Sequence, residues 1–525
     1  MKRILIGLSI AFFIFCFWVE VGAATWYVDN AATGANNGTS WANSWTSFSK
    51  IVWGPTGVKA GDTIYISGGA ISKTYTQKLN VGASGSEGNP IIIRIGQDSG
   101  HNGMVIIDIN YQQSEGWCLR LNNRSYITIN GQVGDDPTPR IRLTKGYYSG
   151  LDFSGTSSYF DVSFLDIVGN GNMNNSHGIT SELQASNNWG EIHHCTIHDN
   201  YEDQLHLIMS PLLEATQYGS LKIHHNDIYD LHDDGIEMSL GGVDIYNNTI
   251  HSRGVYRTGH ADGIQCYNSF YRFYNNYFYD IIREDDIAGN AAIFVDPFVS
   301  PILNPNHIQV FNNLVVETRV QPIGGYYRGL SIKFSESAIT GASDILIANN
   351  TVVGTPFYGV MLTFGNFGSS NVSNVVIVNN LFKDACRSGV GSAVMAFNKG
   401  DGTITYGSYG STANVIVDYN IVYASSEIFK TDIAYWETID HYANFRQDSG
   451  CQDHDAGSPI NPALKSNYTL QSDSPAKDRG VNLSSFFNTD KNGVYRPYGS
   501  GWDVGAFEYF DLAAPAPPKN VRLIE

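Results

Sequence analysis

One short pattern recurs through the middle of this chain and constrains its fold more than any other feature. A β-rich stretch is followed by two polar residues and then by an apolar one. It reads IHHCTI at 192–197, IHHNDI at 223–228, IYNNTI at 245–250, FYNNYF at 273–278, VFNNLV at 310–315, IANNTV at 347–352 and IVNNLF at 377–382. A weaker copy, IVDYNIV, lies at 416–422. The second polar residue advances in steps of 31, 22, 28, 37, 37 and 30 residues. Fixed strands joined by loops of changing length describe a solenoid whose coils cover only their neighbours. The expected fold is all-β, a right-handed parallel β-helix. Asparagine at a recurrent turn tolerates left-handed backbone and can hydrogen-bond up and down the stack, so these residues read as ladders and not as reactive groups.

A second set of stretches falls between these marks: GITSEL at 178–183, QLHLIM at 204–209, GIEMSL at 235–240 and GIQCYN at 263–268, continued by AIFVDP, LSIKFS and VMLTFG. Strand alternation puts Ile179, Leu205, Ile236 and Ile264 inside and Thr180, His206, Glu237 and Gln265 outside. Ser239, Tyr267, Asp296 and Lys333 extend the outer row. A sheet face carrying His, Glu, Gln, Tyr, Asp and Lys is expected to bind something.

The ends differ from the middle. Lys2 and Arg3, the apolar run from Ile4 to about Val19, and the small residues Gly22, Ala23 and Ala24 read as an export signal over 1–24. Residues 25–100 are expected to cap the solenoid and start its coils, 101–463 to form the helix, 464–510 to form a closing module, and 511–525 to be a Pro-rich tail. The expected location is secreted, extracellular or periplasmic, with no membrane span after signal cleavage. The net charge of −18, or −19 without the signal, repels nucleic acid and anionic membranes. Five scattered cysteines remain after the signal, an odd number that makes no disulfide framework. A monomer is expected.

Chemistry concentrates just before the outer row. Asp203 and Asp234 are 31 residues apart, as are His194 and His225, so the two carboxylates are in register, with Asp233 and Glu237 beside them. Coils stack about 4.8 Å apart. Carboxylates that close repel one another, so the cluster calls for a cation or raised pKa values, and Ca²⁺ held by oxygen ligands suits it. The distance from ladder to aspartate is 9 residues in two coils and 15 in the next. The extra residues lie in HSRGVYRTGH, 251–260, and carry Arg253, Arg257 and His260 to the rim of the cluster. The following coil brings Arg283 to a similar place. Zinc at the paired histidines 193–194 and 224–225 is not expected, because neighbouring residues on a strand face opposite ways.

Three stretches give the chain a resemblance to the pectate-lyase-like superfamily of β-helices. WYVDNAATGANNGTSW with GDTIYISGG resembles the N-terminal cap of secreted polysaccharide lyases. HDDGIE at 232–237, with Asp203 one coil earlier, is similar to the calcium site of family 9 pectate lyases. RPYGSGWDVGAFEYF resembles a tail common in secreted bacterial β-helix proteins. The resemblance implies Asp203, Asp233, Asp234 and Glu237 as Ca²⁺ ligands. Where that family places its lysine base, this chain has Gln265. The reaction so implied is β-elimination on a uronic-acid polysaccharide, with the base sought among Arg253, Arg257 and His260. His206, Gln265, Tyr267, Arg283 and Lys333 are expected to contact the polymer. The alternatives are an inverting glycoside hydrolase using Asp203 and Asp262, and a carbohydrate-binding protein without catalysis.

Overall fold

The computed structural model describes residues 22–183, 190–209, 212–252, 261–281, 290–296, 303–319, 327–334, 339, 341–356, 358–364, 372–385, 393–397, 405–423, 429–431, 437–438 and 460–510. Among them the chain forms three parallel sheets of 14, 12 and 13 strands, with one short 3-10 helix at Phe48–Lys50. Successive strands go to the first, second and third sheet in turn. Thus Ile127–Asn130, Ile141–Thr144 and Ser149–Asp152 make one coil, and the next begins with Phe160–Ser163 beside Ile127–Asn130. The result is the expected right-handed parallel β-helix. Its one antiparallel pair of strands among the described residues joins Phe429–Thr431 to Glu437–Thr438.

Apolar columns fill the interior. In the third sheet Ile179, Leu205, Ile236, Ile264, Ile293 and Leu330 pair in register and are buried. The corner between the first and second sheets is built by the polar pair of each repeat. Its first member takes the left-handed conformation, with φ of 53° at His194, 55° at His225 and Asn247, and 58° at Asn275. The second members form a buried ladder. Asn226, Asn248, Asn276, Asn313, Asn350 and Asn380 each donate through Nδ2 to the next Oδ1 at 3.0–3.1 Å, ending at Asn420. The described cysteines Cys118, Cys195 and Cys266 are buried free thiols.

Where the sequence suggests a module closing the end, residues 460–510 lie along the flank. Leu483 and Trp502 pack on Phe311, Leu346, Ala348, Val378 and Ile416, while Ala506 and Phe507 pack on Leu314 and Val316. The corner asparagines hold the module: Asn349 Nδ2 donates to the carbonyl of Asp503 at 2.9 Å, and Asn379 Nδ2 to that of Val481 at 2.8 Å. Inside it, Arg496 and Glu508 form a fully buried ion pair at 2.7 Å. The physical reason is visible in the coils. Earlier strands of the first sheet carry Glu191, Lys222, Asp244 and Arg272 outward, whereas Phe311, Leu346, Ala348, Val378 and Ile416 on later strands are apolar and need a cover.

Candidate functional site on the third sheet

The third sheet presents two rows of side chains at its outer face. Register aligns Thr180, His206, Glu237, Gln265, Phe294 and Ser331 in one row. The other row stands at the strand entry, on the residues that face Ser149 and His177 two positions before the apolar column. It comprises His177, Asp203, Asp234, Asp262, Ala291 and Arg328. Most of these precede a glycine, and the reason is steric: a Cβ at Gly263 would meet the Phe278 ring at 2.9 Å and the Ala292 carbonyl oxygen at 2.5 Å. Glycine lets the chain turn over the core and leaves the preceding side chain at the entry.

The aspartates are tied coil to coil. Asp203 Oδ1 accepts the Asp234 backbone N–H at 3.0 Å, Asp234 Oδ1 accepts that of Asp262 at 2.9 Å, and Asp262 accepts that of Ala291. All three are buried. The other oxygen of Asp203 lies 3.0 Å from His206 Nδ1, and His177 Nδ1 is equally near but poorly aligned for a hydrogen bond. The His177 and His206 rings stack at 4.1 Å. His206 Nδ1 also lies 2.7 Å from Glu237 Oε2, while Tyr267 donates its hydroxyl to Glu237 Oε1 at 2.6 Å.

This network sorts the charges. Burial opposes ionisation of both Asp203 and His206. It is overcome by their contact, which holds Asp203 well below the usual carboxylate range and, with Glu237, pushes His206 up to about 10. Asp233 and Asp234 go the other way. Burial and the neighbouring carboxylates push Asp233 up to about 8, and Asp234 rises well above its ordinary value for the same reasons. Burial, then the Glu237 charge, raises the Tyr267 hydroxyl. Asp203, Asp233, Asp234 and Glu237 make the cluster rich in oxygen, the donor type that a hard cation takes. His177, Asp203 and His206 also bring one ligand atom each within 4.8 Å of one another.

Further along, the face changes sign. Arg328 lies over the Phe294 ring, 5.6 Å from its centroid, and burial lowers its pKa. Lys333 pairs with Asp296 at 3.2 Å. Lys333 is three coils from the strand of Glu237, as its sequence position implies. Gln265 and Tyr267 occupy the outer rows but are buried. Arg253, Arg257, His260 and Arg283 lie outside the described residues. His177 and Arg328 are additions that the sequence reading did not make. Their signal was present: HGI at 177–179 and RGL at 328–330 share the pattern of DGI at 234–236 and 262–264.

No protein-family model matches the chain, and no curated protein matches it. Among solved structures it is similar to the complex of XylC with xylose, at 10% identity over 93% of this chain and 98% of that one, with a TM-score of 0.48. It is also similar to pectate lyase Pel9A, at 12% identity over 93% and 96%, with a TM-score of 0.44. A rhamnogalacturonan lyase aligns at 13% identity over 88% and 97%, with a TM-score of 0.41. No helix among the described residues is long and apolar enough to cross a membrane.

Proposed function

We propose that the chain is a secreted polysaccharide-active protein, a calcium-assisted lyase that cleaves a uronic-acid-containing polymer by β-elimination. The observation that carries this reading is the acidic cluster at the strand entry of the third sheet, where burial and the neighbouring carboxylates push Asp233 and Asp234 above the usual carboxylate range. A site that holds protons against repulsion exchanges them for a cation when one is supplied. Asp203, Asp233, Asp234 and Glu237 would hold Ca²⁺, which when bound offsets the repulsion between protein and polyanion and stabilises charge developing on the sugar carboxylate.

The chain's own groups do the rest. Arg328, which lies over the buried Phe294 ring, and Lys333 supply positive charge to a second uronate along the polymer. His206 serves to orient Asp203 and Glu237 and, being charged, cannot accept the C5 proton. Tyr267, raised and engaged by Glu237, is likewise a poor base. The base belongs to Arg253, Arg257 or His260. Hydrolysis by Asp203 and Asp262 is less well supported, since Asp262 is fully buried and engaged with the Ala291 amide.

The test is the ultraviolet absorbance of unsaturated uronate on pectate, alginate and glycosaminoglycans, with calcium and with chelator. A calcium-dependent rise, lost in Asp233→Asn, is expected. No rise on any of these polymers, with binding retained, would leave a carbohydrate-binding protein.

A further inference from the structure

The corner between the first and second sheets carries a second cluster, away from the third sheet. Two successive coils each place a pair of histidines there: His193 and His194 after the strand Gly190–His193, and His224 and His225 after Leu221–His224. Alternation along a strand would point each pair apart. It does not apply here, because His194 and His225 have left-handed backbone that swings the second ring back towards the first. The Nδ1 atoms of His193 and His194 are 2.7 Å apart, and those of His224 and His225 are 2.8 Å apart. Between coils the rings stack, His193 on His224 and His194 on His225, each at 4.9 Å.

The outer nitrogens are held. His193 Nε2 lies 3.2 Å from Asp161 Oδ1, and His224 Nε2 lies 3.4 Å from Glu191 Oε2. Asn247 Nδ2, which can only donate, lies 3.2 Å from His225 Nε2. His225 therefore carries its proton on Nδ1 and gives it to His224 Nδ1, whose own proton sits on Nε2 against Glu191. A carboxylate on the outer N–H of an imidazole, with the inner lone pair presented, is the arrangement that orients metal-binding histidines. His194 and His225 are exposed, which leaves the site open to solvent.

We propose that His193, His194, His224 and His225 form a binding site for a divalent late-transition metal ion, Cu²⁺ in preference to Zn²⁺, that ties two successive coils together. With metal–nitrogen bonds of about 2.0 Å, right-angled ligands lie about 2.8 Å apart and tetrahedral ones about 3.3 Å apart. Without an ion the spacing within each pair is that of an N–H···N hydrogen bond; when an ion binds, the shared proton moves to His225 Nε2 and frees both Nδ1 lone pairs at a separation close to the right-angled one. One nitrogen from each of His193, His194 and His224 lies within 4.8 Å of the others, so small ring movements bring the second coil's pair onto the same ion.

The full chain, stripped with chelator, is titrated with Cu²⁺ and followed by electron paramagnetic resonance. The expected result is one tight ion per chain with coupling to several imidazole nitrogens. The double variant His194→Asn/His225→Asn keeps the corner, since Asn247 and Asn275 fill the same position with the same backbone. It should lose that coupling and weaken binding by at least about 100-fold, beyond what outer-shell changes cost. A second variant, His224→Tyr, copies Tyr246 of the next coil and should also lose coupling. Absence of tight Cu²⁺ binding in the unaltered chain, or unchanged coupling in both variants, would overturn the proposal. So would a signal lost only in His206→Gln on the third sheet.

Discussion

Replacing Asn276 by alanine tests what locks one coil to the next. The side chain is fully buried. Its Nδ2 donates to the Ile245 carbonyl at 2.9 Å and to Asn313 Oδ1 at 3.1 Å, and its Oδ1 accepts both the backbone N–H and the Nδ2 of Asn248 at 3.1 Å. Alanine leaves the Asn248 N–H, one Asn248 amide proton and the Ile245 carbonyl short of a partner. Asn313 Oδ1 keeps the Asn276 backbone N–H at 3.0 Å. At about 1–3 kcal/mol for each orphaned buried group, the cost is about 3–9 kcal/mol. Solenoids can open coil by coil, so the readout is amide hydrogen exchange in the flanking strands Val243–Tyr246 and Tyr271–Tyr274. A loss of about 4 kcal/mol accelerates exchange by about 10³-fold. The control is Asn247→Ala on the same corner, which costs the left-handed backbone penalty of about 1–2 kcal/mol and one exposed contact to His225. If Asn276→Ala exchanges no faster than that control, the ladder does not hold the coils and the reasoning is wrong.

Four further outcomes are expected. Glu237→Gln removes one of two carboxylates that hold His206 near 10, so its imidazole should titrate closer to the ordinary histidine range by NMR. Asp233 is raised from 3.8 to about 8, so the folded chain binds a proton that the unfolded chain has released; without a cation, stability falls as pH rises through that interval. The gain in melting temperature on adding calcium should therefore grow across it, and an equal gain at every pH would count against a cation in this cluster. Arg496→Ala leaves Glu508 buried without its partner, should cost about 3–5 kcal/mol, and should free residues 460–510 to limited proteolysis. Arg328→Ala should raise KM about tenfold or more on a uronate polymer and leave kcat nearly unchanged, as expected when a uniform binding contact is lost.

The fold was legible because the paired polar residues mark the same corner in every coil, whatever the loop length. The acidic part of the site was legible for a related reason: Asp203 and Asp234 keep the 31-residue spacing of His194 and His225. His177 and Arg328 were missed because the residue–Gly–apolar pattern was followed only where it carried an aspartate. The histidine corner was misjudged because alternation was extended one residue past the end of the strand, where the backbone turns left-handed. The flank position of the C-terminal module was hidden for another reason. Nothing in the sequence around Leu346, Ala348 and Val378 marks a covered flank, because their partner lies more than 100 residues later in the chain.

That distant partner sets an order of events. The apolar strip of Phe311, Leu346, Ala348, Val378 and Ile416 is made well before Leu483 and Trp502, so a chain emerging from its N-terminus completes these coils with one side uncovered. The later-made segment is the one that keeps the protein from sticking to its copies. A chain cut short before residue 460 would keep most of its coils and the acidic cluster, and would self-associate through that strip.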